Sequence, residues 1–184
     1  MRIIAGKYKF KKLHDFNVNT TRPTSDRTRE ALFSILQSNT KDAVCLDLFA
    51  GTGALGLEAL SRGAKFCYFV EHNIDIYKIM VKNFQECNAE KNSLKALRSD
   101  YLKALKGYKN KGIKFDIIFI DPPYKTNFAE ISINFILDNS LLSDSGIIVW
   151  EHDETKLEEI CKYNILNHKQ YGKTYISILN DYAK

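Results

Sequence analysis

The tetrapeptide Asp121-Pro122-Pro123-Tyr124 puts a carboxylate, two carbonyls and an aromatic ring within four residues. It follows the apolar run Ile117-Ile118-Phe119-Ile120, which reads as a buried central strand. Two prolines end that strand abruptly, because proline has no N–H to donate and fixes φ. The carbonyls of such a stiff loop, with no ladder to join, are free to accept protons from a ligand. A flat group lying on Tyr124 would aim an amino substituent at Asp121 and the Pro122 carbonyl. Pro123 completes the wall. The plainer alternative is that the prolines merely stop a strand and Tyr124 is surface.

A second constellation precedes it. The apolar run Ala43 to Leu46 ends at Asp47, and Gly51-x-Gly53-x-x-Gly56 then opens a helix beginning near Leu55. Glycines there let a backbone approach a ligand closely, and the helix N-terminus offers unpaired N–H groups. The strand before and the helix after supply the context that a glycine fingerprint needs. Glu71 ends the next apolar run, 71 − 51 = 20 residues after Gly51. At that spacing an acid meets ribose hydroxyls. Asp100 stands after a third run, either as an acceptor for a base's amino group or as the cap of the helix that follows it.

Cations gather elsewhere. Lys7, Lys9, Lys11 and Lys12 interleave with Tyr8 and Phe10, a pattern that can lay charge along phosphates and offer rings to unstacked bases. The same pattern also serves as a solvated edge that resists aggregation. Arg22, Arg27 and Arg29 crowd around a helix start capped by Thr24 or Ser25, with Asp26 in the first turn. Cations are unfavourable at that end of a helix, so these arginines, with Thr24, are candidates for holding an anionic substrate.

Positioning these groups requires alternating strands and helices. Strands are expected at 43–47, 65–71, 93–97, 117–120 and 146–151, each followed by a helix. The helix at 128–137 is expected to face inward through Phe128, Ile131, Phe135 and Ile136, and a charged helix through Leu157, Ile160 and Cys161. Asn73 caps the helix carrying Met80 and Phe84. The runs Ile165–Lys169 and Thr174–Leu179 close the chain, and the second alternates with period two, as an antiparallel strand does. The outcome is an α/β fold with one mainly parallel sheet and helices on both faces. Residues 1–20 form a small basic β-ribbon around Gly6, set before a domain at 21–184.

A chain of 184 residues suits that plan. With 27 Lys+Arg against 22 Asp+Glu, the net charge of +5 permits a nucleic-acid partner without requiring one. Cys45, Cys67, Cys87 and Cys161 lack C-x-x-C spacing and read as buried thiols of a reducing compartment. No signal peptide or membrane-length apolar run is present, so a cytoplasmic monomer is expected. His14, His72, His152 and His168 are dispersed and form no metal-ligand spacing.

Taken together, Arg2-Ile3-Ile4-Ala5-Gly6, the segment from Arg22 to Glu30, the stretch from Leu46 to Ala59 and Asp121-Pro122-Pro123-Tyr124 resemble the class I S-adenosylmethionine-dependent methyltransferases. More narrowly, the chain is similar to the small-subunit (16S) ribosomal RNA guanine-N2 methyltransferases of the RsmD type. The resemblance implies a Rossmann-like, seven-stranded sheet with its last strand antiparallel, and S-adenosylmethionine as cofactor. It implies that Asp47, Phe49, Ala50, Gly51, Thr52 and Gly53 hold the methionine part. Glu71, with His72 beside it, would hold the ribose, and Asp100 with Tyr101 the adenine. Tyr101 departs from the small residue common at its place. Asp121, Pro122 and Tyr124 would carry the chemistry on a base of ribosomal RNA or of a small-subunit assembly particle. An adenine-N6 methyltransferase shares these motifs, but such relatives often begin the tetrapeptide with Asn, and the DNA enzymes usually need an added target-recognition region for which 184 residues leave little room. A nicotinamide-dependent oxidoreductase explains the glycine turn and Glu71 but not the tetrapeptide, and a non-catalytic RNA-binding module explains neither Asp121 nor Tyr124.

Overall fold

The computed structural model describes residues 1–15, 26–123, 126–152 and 162–181. Arg22, Thr24, Tyr124 and the charged helix expected at Leu157–Cys161 lie outside the described residues. Among those described, seven strands form one sheet: β1 (Val44–Asp47), β2 (Phe66–Glu71), β3 (Leu94–Arg98), β4 (Phe115–Ile120), β5 (Leu142–His152), β6 (Asn164–Tyr171) and β7 (Thr174–Asn180). Their order is β3-β2-β1-β4-β5-β7-β6. The first five are mutually parallel, and β7 runs antiparallel between β5 and β6. A tight turn at Gly172, with φ 65°, joins the closing hairpin, whereas the parallel strands need crossover helices.

Those helices cover both faces. α1 (Asp26–Ile35), the short α2 (Gln37–Thr40), α3 (Ala54–Ser61) and α4 (Ile74–Glu86) are followed by α5 (Tyr101–Asn110) and α6 (Phe128–Asp138). Alternation along the strands divides the core in two. Cys45, Phe69, Ile117, Phe119 and Val149 pack with Leu32 and Phe33 of α1, Leu57 and Leu60 of α3, and Met80 of α4. Leu46, Val70, Ile118, Ile120 and Ile148 pack with Leu105 of α5 and with Ile133 and Ile136 of α6.

Two local expectations are corrected. The buried face of α6 is Ala129, Ser132, Ile133 and Ile136, so only Ile136 of the anticipated set is buried. Phe128 instead turns toward other rings at the carboxyl end of the sheet, described below. β5 begins at Leu142, earlier than its apolar run. Its polar start is held by Asp116, which accepts from the Val44 N–H at 2.8 Å and from the Ser143 hydroxyl at 2.5 Å.

The N-terminal ribbon is a strap bound into the same core. Arg2 and Lys12 form an antiparallel bridge, and Ile3, Tyr8 and Leu13 join the core face shared with α1 and α3. Glu58 of α3, fully buried, accepts the Ile4 N–H at 2.8 Å and the Ala5 N–H at 3.1 Å, and pairs with Arg62 at 2.7 Å. Ser61 takes the Lys7 N–H on its carbonyl and the Tyr8 N–H on its hydroxyl. This contact is so close that a Cβ on Gly6, at φ 81°, would fall 1.8 Å from the Ser61 carbonyl oxygen. Tyr8, expected to offer its ring to bases, is buried; Phe10 is the exposed ring of the strap, at 66%.

Gly6 and Gly172 both have positive φ, but only Gly6 is crowded. Gly172→Ala should therefore cost only the left-handed penalty, about 1–2 kcal/mol. Gly6→Ala adds overpacking and should cost about 2–5 kcal/mol in urea unfolding. Equal losses would mean that the strap yields freely.

Candidate active site

The strand order reverses between β1 and β4, so the loops leaving their carboxyl ends diverge and open a crevice. Four expected residues arrive at this edge by strand geometry alone. Asp47 ends β1, Glu71 ends β2, Asp100 follows β3 and Asp121 follows β4. The register sets Asp47 beside Phe119, one strand repeat short of Asp121 on the same face.

The turn from β1 into α3 is fixed by two of these acids. Glu71 accepts the Gly51 N–H at 3.0 Å and the Asn73 N–H at 2.6 Å, tying the turn to the start of α4. Asp47 accepts the Gly56 N–H at 3.0 Å, inside the first turn of α3. Gly51 and Gly53 have φ of 54° and 83°, a region costly to residues with a side chain. A Cβ on Gly56 would stand 2.3 Å from the Phe69 ring, so glycine there sets how closely helix and strand pack. A Cβ on Gly51 would meet nothing within 4 Å, which marks the side of the turn open to a ligand. Asn83 of α4 completes the support by donating to the Thr52 carbonyl at 2.9 Å.

The acids differ in their surroundings. Asp47 is 2% exposed, so it holds the turn from behind instead of opening on the crevice. Burial pushes its carboxyl up to about 7, against the pull of the Gly56 N–H. Burial also raises Glu71, opposed by the N–H groups of Asn73, Gly51 and His72. His72 itself is exposed. Asp100 caps α5 through Oδ1, which accepts from Leu102 and Lys103 at 2.9 and 3.1 Å. Asp121 is pushed well above the usual carboxylate range by burial, by Glu151 and by Asp47.

Three rings gather beside these acids. Phe49 after β1, Tyr101 opening α5 and Phe128 opening α6 have centroids 5.2, 6.4 and 4.9 Å apart in turn. Tyr101 thus belongs to an aromatic wall. After β4, Pro122 is half-buried and Pro123 exposed, with its carbonyl accepting the Thr126 hydroxyl at 2.9 Å.

The cations divide. Arg29 is fully buried: its Nη2 donates to Asp26 Oδ1 and to the Arg2 carbonyl, both at 2.7 Å. It cannot reach an external anion, which corrects the expectation. Lys7 sits by Ser61, at the end of α3 remote from the glycine turn, and pairs with Glu90 at 3.3 Å. Eight helical residues, about 12 Å, carry it away from the crevice. Lys9 and Arg27 remain exposed. A groove lies between strap and α1, lined by Arg2, Ile4, Phe10, Asp26, Arg27 and Glu30.

Residues 1–180 match the family model described as Conserved hypothetical protein 95. The chain belongs to this family. Its relatives include the ribosomal RNA small subunit methyltransferase D of Escherichia coli (strain K12), 37% identical over 153 residues, 83% of this chain and 75% of the other. The protein of the same name from Haemophilus influenzae is 36% identical over 156 residues, 85% of this chain and 80% of that one. The solved structure of the E. coli yhhF protein superposes with a TM-score of 0.85 at 33% identity, covering 100% of this chain and 99% of that one. The family therefore spans strap and sheet together.

Two members of the site are not marked by the sequence pattern. Phe128 sits at core spacing on its helix yet joins the aromatic wall. Glu151 closes an apolar run as Glu71 does and lies beside Asp121.

The state of Asp47 can be checked through stability. Its folded carboxyl titrates near 7, against about 3.9 in an unfolded chain. Between those values the folded protein holds a proton that the unfolded chain lacks, so stability falls as pH rises through that window. Asp47→Asn keeps an acceptor for Gly56 and removes the titration. Urea unfolding should show a smaller loss of stability from pH 5 to pH 8 in Asp47→Asn than in the parent. Equal slopes would mean that Asp47 ionises as an ordinary carboxyl.

Proposed function

We infer that the chain transfers a methyl group from S-adenosylmethionine to the exocyclic N2 amino group of a guanine in small-subunit (16S) ribosomal RNA. The observation that carries this reading is Asp121, which stands at the carboxyl end of β4 directly across the switch point from the β1 glycine turn. An amine acceptor and a cofactor cradle thus share one crevice. The methyltransferase relatives bearing the small-subunit rRNA name support the RNA class.

The residues present suit the cofactor. The backbone at Gly51 has open space before it, and Glu71 stands at its edge for ribose hydroxyls. Asp100 spends Oδ1 on its helix, and its second oxygen is assigned to an adenine amino group. Phe49 and Tyr101 offer ring faces. Bound there, the cofactor supplies an electrophilic methyl on a positively charged sulfur.

The chain's own groups prepare the other reactant. A base's amino group is a poor nucleophile, since its lone pair is delocalised into the ring. Accepting its N–H groups on Asp121 and the Pro122 carbonyl localises that pair toward the methyl. Asp121 then takes the proton that the methylated nitrogen sheds. Tyr124, three residues on from Asp121 in sequence, is assigned to stack on the base. Catalysis of this kind is alignment with electrostatics. The base must leave its stack to enter. Arg2, Arg27 and Phe10 along the groove, with the exposed Lys9 over the Phe10 ring, are assigned to flanking RNA.

Single-turnover methyl transfer to 16S rRNA or a small-subunit particle tests the reading, with a nucleoside digest to identify the product. N2-methylguanine is expected; N6-methyladenine would move the chain to adenine chemistry. Asp121→Ala should cut the rate far more than it weakens cofactor binding, because its contacts tighten in the transition state. Glu71→Ala should instead weaken cofactor binding by about 1–3 kcal/mol in calorimetry. An unchanged rate in Asp121→Ala would sink the mechanism.

A further inference from the structure

At the end of β5 lies a buried acid that the reaction just described leaves unused. Glu151 is 6% exposed. The register pairs Ile120 with Trp150 on adjacent parallel strands, so Asp121 and Glu151 come next to each other, with strands about 4.8 Å apart. Alternation points both side chains to the face of Phe119 and Val149, the face covered by α1. There Phe33 packs on Phe119 with ring centroids 5.9 Å apart. One helical turn before Phe33, about 5.4 Å, comes Arg29. Two residues beyond Phe119, about 6.6 Å along the strand, comes Asp121.

Arg29 is the buried cation of this corner. Its Nη2 is committed to Asp26 and the Arg2 carbonyl, and its Nε and Nη1 have no hydrogen-bond partner among the described residues. Its positive field acts on Asp26, Glu58 and Glu151. Asp47 from β1 and Glu58 with Arg62 from α3 complete the charged surroundings, and β7 sets Ile176 beside Glu151.

We propose that Glu151 is a positioning residue for methyl transfer: it stands against Asp121 on the adjacent strand and makes that carboxylate the stronger base that receives the amine's proton. The inference rests on Asp121 being the acceptor. The step balances within the site: an N–H bond of the methylated amine breaks with its pair left on nitrogen, and an O–H bond forms on Asp121. Two carboxylates this close hold the second proton more tightly than either would alone. Asp121 is raised by burial first and by Glu151 next, in keeping with that arrangement.

The sign of the effect is definite. A neighbouring negative charge raises the pH at which Asp121 loses its proton, so removing it must lower that pH. Glu151→Gln should move the acid limb of the single-turnover rate to lower pH by about 1 unit or more, and lower the plateau, with cofactor affinity unchanged. Glu151→Asp keeps the charge and should restore the limb. In the free protein, carboxyl ¹³C NMR should show Asp121, assigned by its loss in Asp121→Asn, titrating above the usual carboxylate range. The same resonance should titrate lower in Glu151→Gln. A slower Glu151→Gln with an unmoved limb would reduce Glu151 to a structural residue and overturn the proposal. Should Glu151→Gln fail to fold, an ordinary Asp121 titration in the wild-type protein would overturn it equally. A wild-type rate in Asp121→Ala would instead refute the acceptor reading on which this one stands.

Discussion

Two carboxylates facing the backbone of the turn between β1 and α3 govern the rest of the crevice. A tight glycine turn leaves N–H groups with no ladder or helix partner, and a buried N–H without an acceptor is costly. Glu71 and Asp47 accept two of them, from the far ends of neighbouring strands. That demand fixes the register of β1 against β2 and the depth at which α3 starts. It also leaves the opposite side of Gly51 bare. The open side of the turn follows from how thoroughly its back is occupied.

The same logic extends outward through α3. This helix starts at the glycine turn and ends at Ser61, and along its length it anchors the strap through Glu58 and Ser61. The strap in turn presses Ile3, Tyr8 and Leu13 into the core beside Leu57 and Leu60. His14 closes the circuit, with its N–H on Asn83 at 2.7 Å while Asn83 holds Thr52. Crevice and strap are therefore mechanically continuous, although 30 or more residues separate the pieces in sequence.

Much of this was legible before any coordinates, because acids closing apolar runs and prolines breaking one are local signals. Strand ends of a parallel sheet converge on one edge, so reading the runs placed Asp47, Glu71, Asp100 and Asp121 together. What resisted reading depended on burial in three dimensions. Arg29 looks like any helix-start arginine, and only the packing of α1 on β4 reveals it as an internal cation. Tyr8 alternates with lysines as a solvent-facing ring would, yet the clip to Ser61 turns it inward. On α6 the apolar residues nearly encircle the helix, so periodicity could not choose the face that Ala129 and Ile133 take. Glu151 closes an apolar run as Glu71 does, but no glycine turn stands 20 residues before it to mark it as a ligand-facing acid.

The clip between strap and α3 has a bearing on how the protein is made. The strap leaves the ribosome ahead of α3, and the carboxylate that receives the Ile4 N–H is 54 residues behind it. At roughly 5–20 residues per second, several seconds pass before Glu58 is even polymerised. For that interval the segment carrying Lys7, Lys9, Lys11 and Lys12 lacks the partners that hold it, and it gains its fixed geometry only when α3 emerges. Order of synthesis and order of assembly run in opposite directions at this end of the chain. The strap is born before α3 and sealed after it.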